Sequence, residues 1–544
     1  MKLQFVKRAG VITTLFLLVG CSRGSASEAE VLNVYNSADY IAEDDKESGT
    51  KGIISLFEDH MKEKGRNVRV NYSTFDTNET MLGEMKTGKA QYDLVCPSDY
   101  VIQKMMAEDM IEPYDKDGTP DYDSNVSPFV DDKMTEITVE YNGKTRSVRD
   151  FARGYMWGTL GILYNNRFSS LSKDIDPKMM DRDMRDWNSL YAAKYKNLLA
   201  IKDSVRDTYA VGIFHHFDQE LQALKATYDV SAKTPEDQKI YNDAITNLFN
   251  RCDDNTINSI GKDLMQLKNN AFGFEVDSGK SDMARGANFA INIAWSGDAS
   301  WAMDMADENN EKNAETANFV PTKLKYVLPD TGSNIWFDGW TMPKGANKEL
   351  AQEFVNFISK PENAALNMNA IGYTPVIAGD AILSLVQSYY DIRYDEATEA
   401  MTPALPDGKT LVKAEDIDGL DEEALDNSYY QKDVSYFFKG TLLEHTDDKC
   451  LFYISAASKG TQFDTQYPDA SVLPRLAVMA DFGSQTANML MMWENVKNTA
   501  LPLWSYYVIL GAVIALIGFG IYHVISHRAK IRRRKERHKA ILAK

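Results

Sequence analysis

Between residues 31 and 98, short apolar runs take turns with segments whose apolar residues recur every three or four positions. "VLNVYNS" (31–37), "NVRVNYSTF" (67–75) and "YDLVCPS" (92–98) read as strands. "GIISLFEDHMKEKG" reads as a helix closed by Gly65, and "NETMLGEMKTGK" as one capped near Thr77 or Asn78. Strand and helix in alternation imply a mostly parallel sheet with helices on both faces. Ligands of such sheets gather beyond the carboxyl ends of strands, which places the tips "YNSADY" (35–40) and "CPSDYV" (96–101) at a candidate site.

The pattern restarts further on. "YMWGTLGILYNN" (155–166) predicts a strand crossing between two lobes, followed by a helix at "WNSLYAAKYK", a strand at "NLLAIKD" and helices to about residue 270. "FAINIAWSGDASWAMDMA" is a strand-to-helix unit, and "NIWFDGWTMP" runs into the clear helix "NKELAQEFVNFIS". From about 380 to 465 the chain turns irregular and acidic, and helical patterning resumes at "MADFGSQTANMLMMWENVK". No internal repeat is present.

The two ends differ from this body. The start, "MKLQFVKRAGVITTLFLLVGCSRG", has the form of a bacterial export signal, and Leu18-Val19-Gly20-Cys21 resembles a lipobox that would place lipid on Cys21. "LPLWSYYVILGAVIALIGFGIYHVIS" (501–526) has no Asp, Glu, Lys or Arg and predicts a transmembrane helix, with a basic tail from 527 to 544 on the cytoplasmic side. The expected location is the cell envelope, inner-membrane anchored with the body in the periplasm. The first 21 residues carry three cationic side chains and residues 523–544 a net +8, so of the overall −19 the remainder holds about −30. Such acidity argues against a nucleic-acid partner and, more weakly, for cationic ones. Beyond Cys21 stand Cys96, Cys252 and Cys450, too few for a disulfide scaffold, although a Cys252–Cys450 bridge is allowed.

Catalytic signals are weak. The G-x-S-x-G spacing occurs only at residues 20–24 without strand-to-helix context, and "GKS" (279–281) lacks the upstream glycine of a phosphate loop, with Phe274 in its place. His215 and His216 are adjacent and diverge on a helix, and His445 with Cys450 is a lone pair, so no metal or cofactor is expected. No enzyme activity is expected either. "GSNIWFDGWTMPKG" sets Asp338 among Trp336, Phe337 and Trp340. Its plain reading is a strand whose aromatics alternate between packed faces; its sharper reading is a cage for a cation.

"TNETMLGEMKTGKAQYDLVCPSDYVIQKMMAEDMIEPYD", "YMWGTLGILYNN", "INIAWSGDASWAMDMA" and "NIWFDGWTMPKGANKELAQEFVNFISKPENAALNMNAIGYTPV" together resemble the periplasmic spermidine/putrescine-binding proteins of bacterial polyamine importers. The likeness runs from about 31 to 378 and weakly resumes from 467 to 497. It implies an α/β, two-lobed periplasmic binding protein fold, type II-like, with hinge-crossing strands. The expected first lobe is 31–157 with 337–380 and the second 158–336 with 466–497, around an acidic insertion at 381–465. It further implies a polyamine ligand and, as partners, an ABC permease with a separate ATPase; the lipid and terminal helix would add the membrane. Another cationic solute, or a membrane-tethered sensor, are the competing readings.

Carried over by position, the resemblance implies ligand contacts from Asp39, Tyr40, Ser98, Tyr100, Asp207, Trp295, Trp336 and Asp338. Aromatic rings would cover methylenes and attract ammonium groups, and carboxylates would set their spacing. Departures concern cargo. Ser37 and Ala38 stand where the family often has Trp-Thr, so a wall is missing unless Tyr35 or Tyr40 fills in. Asp99, Ser204 and Met479 also depart from the family pattern.

Overall fold

The computed structural model describes residues 29–498 except 277, 318, 391–393, 396–399, 402–404, 406–407 and 443–448. Its main sheet runs, in spatial order, through Val68–Phe75, Glu30–Ser37, Leu94–Val95, Ser333–Pro343, Ala152–Tyr164, Ile291–Trp295, Leu199–Lys202 and Gly273–Glu275. The first three strands are parallel, as are the last three, while Ser333–Pro343 and Ala152–Tyr164 are antiparallel to each other. These two long strands belong to both lobes. Every residue of Ala152–Tyr164 is buried, which its nearly uninterrupted apolar sequence requires.

Each lobe has its own core. Leu32, Val34, Ile53, Phe57, Trp340 and Phe354 pack one side of the first lobe. Ile201, Phe214, Leu264, Ile291 and Met492 fill the second. Helix boundaries follow local chemistry: Thr77 caps Asn78–Thr87 by accepting the Thr80 N–H at 3.2 Å, and Gly88 ends it in the left-handed conformation, φ 63°. The helix expected at 187–196 is instead two short 3-10 turns, Trp187–Tyr191 and Ala193–Tyr195. Asp186 accepts from Asn188 N–H, tightening the start, and Trp187 is pinned by its indole N–H to the Gly332 carbonyl at 2.9 Å. Buried residues 187 and 190 are three apart, the spacing that a 3-10 turn eclipses.

The segment after 380 is less irregular than expected. It holds a five-stranded sheet, ordered Tyr394–Asp395, Ala400–Met401, Lys449–Ser455, Ser428–Asp433 and Thr410–Val412. It touches both lobes: Phe437 stacks on Trp157 at 5.7 Å, while Tyr326 N–H donates to the Gly460 carbonyl at 2.6 Å. Cys252 is a free thiol, so the allowed Cys252–Cys450 bridge is not formed. Cys450 lies fully buried within that inserted sheet, in strand Lys449–Ser455, and Cys252 borders the second-lobe core.

The expectation of a fold completed by a terminal transmembrane helix is corrected. Among the described residues no helix is long and apolar enough to cross a membrane. The stretch 501–526, the basic tail and the lipobox Cys21 all lie outside the described residues.

Candidate functional site

The crowded aromatics of 334–343 divide between the two faces of one strand. Ile335 and Phe337 pack into one core, Trp336 and Trp340 into the core on the opposite face, as strand alternation requires. Between Phe337 and Gly339 the pairing with Ala152–Tyr164 slips, and Asp338 forms an isolated bridge with Ser98 instead. The extra residue of this bulge lies on Ala152–Tyr164, between Gly154 and Trp157, so Asp338 keeps the face of Trp336 and lines the cleft between the lobes.

From the first lobe, the tip after Glu30–Ser37 turns through Asp39, whose φ of 52° is a left-handed value that aspartate tolerates. The turn returns Tyr40, whose hydroxyl donates to Asp338 Oδ2 at 2.7 Å. Tyr40 is held by its own carbonyl, which accepts from the Tyr155 hydroxyl at 2.7 Å. Ser98 is positioned by Asn78, whose amide donates to its Oγ at 3.0 Å. Asp338 Oδ1 is buried and accepts no hydrogen bond.

From the second lobe, Ser204 caps helix Val205–His216 and receives the Asp207 N–H at 3.4 Å. Asp207 is buried, and its carboxyl faces the Trp295 indole. Trp295 ends strand Ile291–Trp295 and immediately precedes helix Ser296–Asn313. All eight ligand residues expected from sequence, Asp39, Tyr40, Ser98, Tyr100, Asp207, Trp295, Trp336 and Asp338, line one cleft of about 400 Å³.

They do not all present a free surface. The face of Tyr100 is covered by the Arg206 guanidinium at 4.2 Å, and its hydroxyl reaches Glu79 at 3.3 Å. Tyr35 stacks on Tyr92 at 4.4 Å and is not among the residues that line the cleft, whereas Tyr40 is. Three further residues escaped the sequence reading. Tyr373, in "GYTPV", packs its ring edge-on to Tyr40 at 5.0 Å and donates to Asp298 Oδ1 at 2.8 Å. Asp298 follows Trp295 by three positions in "IAWSGD", and Lys202 ends the apolar run "LLAIK". A lysine closing a buried strand was the legible signal.

Nine carboxylates and four cationic side chains line the cleft, a surplus of negative charge. The cations are already engaged: Lys202 and Lys280 with Asp298, Lys497 with Asp203, and Arg206 with Asp481. Among the described residues Asp207 and Asp338 make no ion pair. Burial therefore dominates both: it pushes the Asp338 carboxyl up to about 6, against the opposing hydroxyls of Ser98 and Tyr40. Burial also raises Asp207, whose negative charge raises Asp338 in turn. Two largely desolvated carboxylates lining one cleft without a counter-ion are an arrangement that could accept a cation.

Room for the Trp336 wall depends on Gly158, where a Cβ would sit 2.5 Å from the indole ring and 2.5 Å from Ser296 Oγ. Gly158→Ala is expected to displace Trp336 and lower stability by about 1–3 kcal/mol through overpacking. Thermal denaturation checks this; an unchanged melting temperature would show that the ring yields without cost.

The family model described as bacterial extracellular solute-binding protein matches residues 55–384. The spermidine/putrescine-binding periplasmic protein of Salmonella typhimurium is 27% identical over 420 residues, covering 76% of this chain and 95% of the relative. A putrescine-binding periplasmic protein of Pseudomonas aeruginosa is 28% identical over 366 residues, covering 66% and 82%. Among solved structures, a putative spermidine/putrescine ABC transporter from Listeria monocytogenes superposes with a TM-score of 0.51 at 23% identity, covering 86% of this chain and 99% of that one. That likeness concerns the two-lobed fold. The relatives are named periplasmic, and no described helix is suited to crossing a membrane. The expectation of inner-membrane anchoring with a cytoplasmic tail is accordingly dropped.

Proposed function

Because the chain belongs to the bacterial extracellular solute-binding proteins, we propose that its cleft captures a polyamine of the putrescine and spermidine class and delivers it to the permease of an ABC importer. It is a binding protein and not an enzyme, as its family is. The observation that carries the reading is the pairing of buried Asp207 with half-buried Asp338, both without ion-pair partners among the described residues and lining one cleft with Tyr40, Trp336, Trp295 and Tyr373. An ammonium placed at Asp338 Oδ1 would supply the donor that this oxygen lacks. The neighbouring rings would cover the methylene chain and attract its charge, at about 0.5–2 kcal/mol for each cation–π contact. The spermidine/putrescine names of the relatives support the same ligand class. The long strands shared by both lobes supply a frame on which the second lobe closes over the ligand.

Calorimetric titration across pH tests this. In the empty cleft Asp338 holds its proton up to about pH 6. An ammonium partner stabilises the carboxylate and pulls that value down, so binding near pH 6 releases a proton. Affinity is then expected to rise about tenfold from pH 5 to pH 7 and to level off above. Absence of binding by any polyamine at millimolar concentration would reject the proposal, and a flat pH profile would remove Asp338 from the contact.

A further inference from the structure

The cleft already contains one ammonium of its own. Lys202 ends strand Leu199–Lys202 and is only 1% exposed. Its Nζ lies 4.3 Å from the centroid of the Trp295 ring, 3.1 Å from Glu275 Oε1, 3.3 Å from Asp298 Oδ2 and 2.6 Å from the Val276 carbonyl oxygen. An aromatic face, two carboxylates and a carbonyl are the surroundings that a ligand ammonium would need. Burial opposes the charge on Lys202, but Asp298 and Glu275 more than offset it, so the group remains an ammonium.

Asp298 is saturated as a result. Its Oδ2 receives Lys202, and its Oδ1 receives the Tyr373 hydroxyl at 2.8 Å and Lys280 at 3.3 Å. Across the cleft the situation is reversed, with Asp338 Oδ1 lacking a donor. Two further carboxylates, Asp39 and Glu79, make no ion pair among the described residues and are exposed on the first-lobe side.

We propose that Lys202 is a specificity-determining residue that fills the far ammonium subsite, so that the cleft selects diamines of putrescine length over triamines such as spermidine. One ammonium of the diamine meets Asp338 and Asp207, and the other meets the exposed carboxylates of the first lobe. A third ammonium that enters the Asp298 corner meets Lys202 and is repelled. The inference rests on the polyamine reading and narrows it.

The test compares putrescine and spermidine binding, by calorimetry, to the wild-type protein, to Lys202→Met and to the Lys202→Met/Glu275→Gln double variant. The double variant neutralises Glu275, the carboxylate that the single substitution leaves buried without a cation, which protects folding, while Asp298 keeps Lys280. Wild type is expected to bind putrescine more tightly. In either variant the ratio of spermidine to putrescine affinity is expected to move towards spermidine by about tenfold or more, because Asp298 becomes available as a charge partner. A merely structural lysine would weaken both ligands alike and leave the ratio unchanged, which would overturn the inference, as would a wild type that prefers spermidine. Binding of neither amine by wild type would instead sink the polyamine reading itself, and this inference with it.

Discussion

Asp338→Asn is expected to remove most of the polyamine affinity while making the ligand-free protein more stable at pH 7. The loss of binding follows from taking away one partner of a desolvated charge pair, about 2–5 kcal/mol, or about 30- to 4,000-fold in Kd. The gain in stability follows from the raised carboxyl. In the folded protein burial raises the Asp338 carboxyl to about 6, from the ordinary 3.8 of an aspartate. Between those values the folded form binds more protons than the unfolded one, so stability falls as pH rises through the window. By pH 7 the buried carboxylate costs about 3 kcal/mol, a cost that a neutral amide avoids. Asparagine retains an oxygen to accept the Tyr40 hydroxyl, whose bond to Asp338 is 2.7 Å. Denaturation of both proteins at pH 7 and below pH 4 checks the sign: the advantage of the variant should shrink at low pH. Equal affinity in the two proteins would take this aspartate out of the site.

Trp336→Leu is expected to act in the opposite direction on stability. The indole is 8% exposed and belongs to the first-lobe core as well as to the cleft wall, with its ring 6.0 Å from Tyr373. Truncation leaves a cavity and should lower unfolding free energy by about 2–4 kcal/mol. Its Nε1 is buried without a hydrogen-bond partner, so losing that polar atom offsets part of the cost. Affinity should fall by a further 1–3 kcal/mol, roughly, through lost contact with the methylenes and charge of the ligand. Denaturant unfolding and calorimetry on the same preparation separate the two effects. A variant with unchanged stability would mean that the wall stands apart from the core.

The plain and the sharp readings of "NIWFDGW" therefore both hold, on different residues. Phe337 and Trp340 are core residues, Trp336 serves core and wall, and Asp338 enters the cleft. Alternation along a strand was legible in sequence; the bulge opposite Asp338 and its bridge to Ser98 were not, because they depend on residues 154–157 and 98, far away in the chain. The strands and helices of the first lobe were legible for a local reason, since each carries its own period and cap, as at Thr77. The 3-10 turns near 190 were not, because the anchor of Trp187 is a carbonyl 145 residues away. The eight cleft residues came from ordered resemblance rather than from periodicity. Tyr373, Asp298 and Lys202 stayed hidden because their roles arise only when distant segments meet, Tyr373 on Asp298 and Lys202 on Trp295.

A crystal structure of the protein grown with putrescine tests the central claim most directly. The account predicts an extended diamine in the cleft between the lobes, one nitrogen within hydrogen-bonding distance of Asp338 Oδ1, its methylenes against Trp336 and Tyr373, and Lys202 still seated on Trp295. Diamine bound elsewhere, or a cleft that stays empty at saturating ligand, would contradict it.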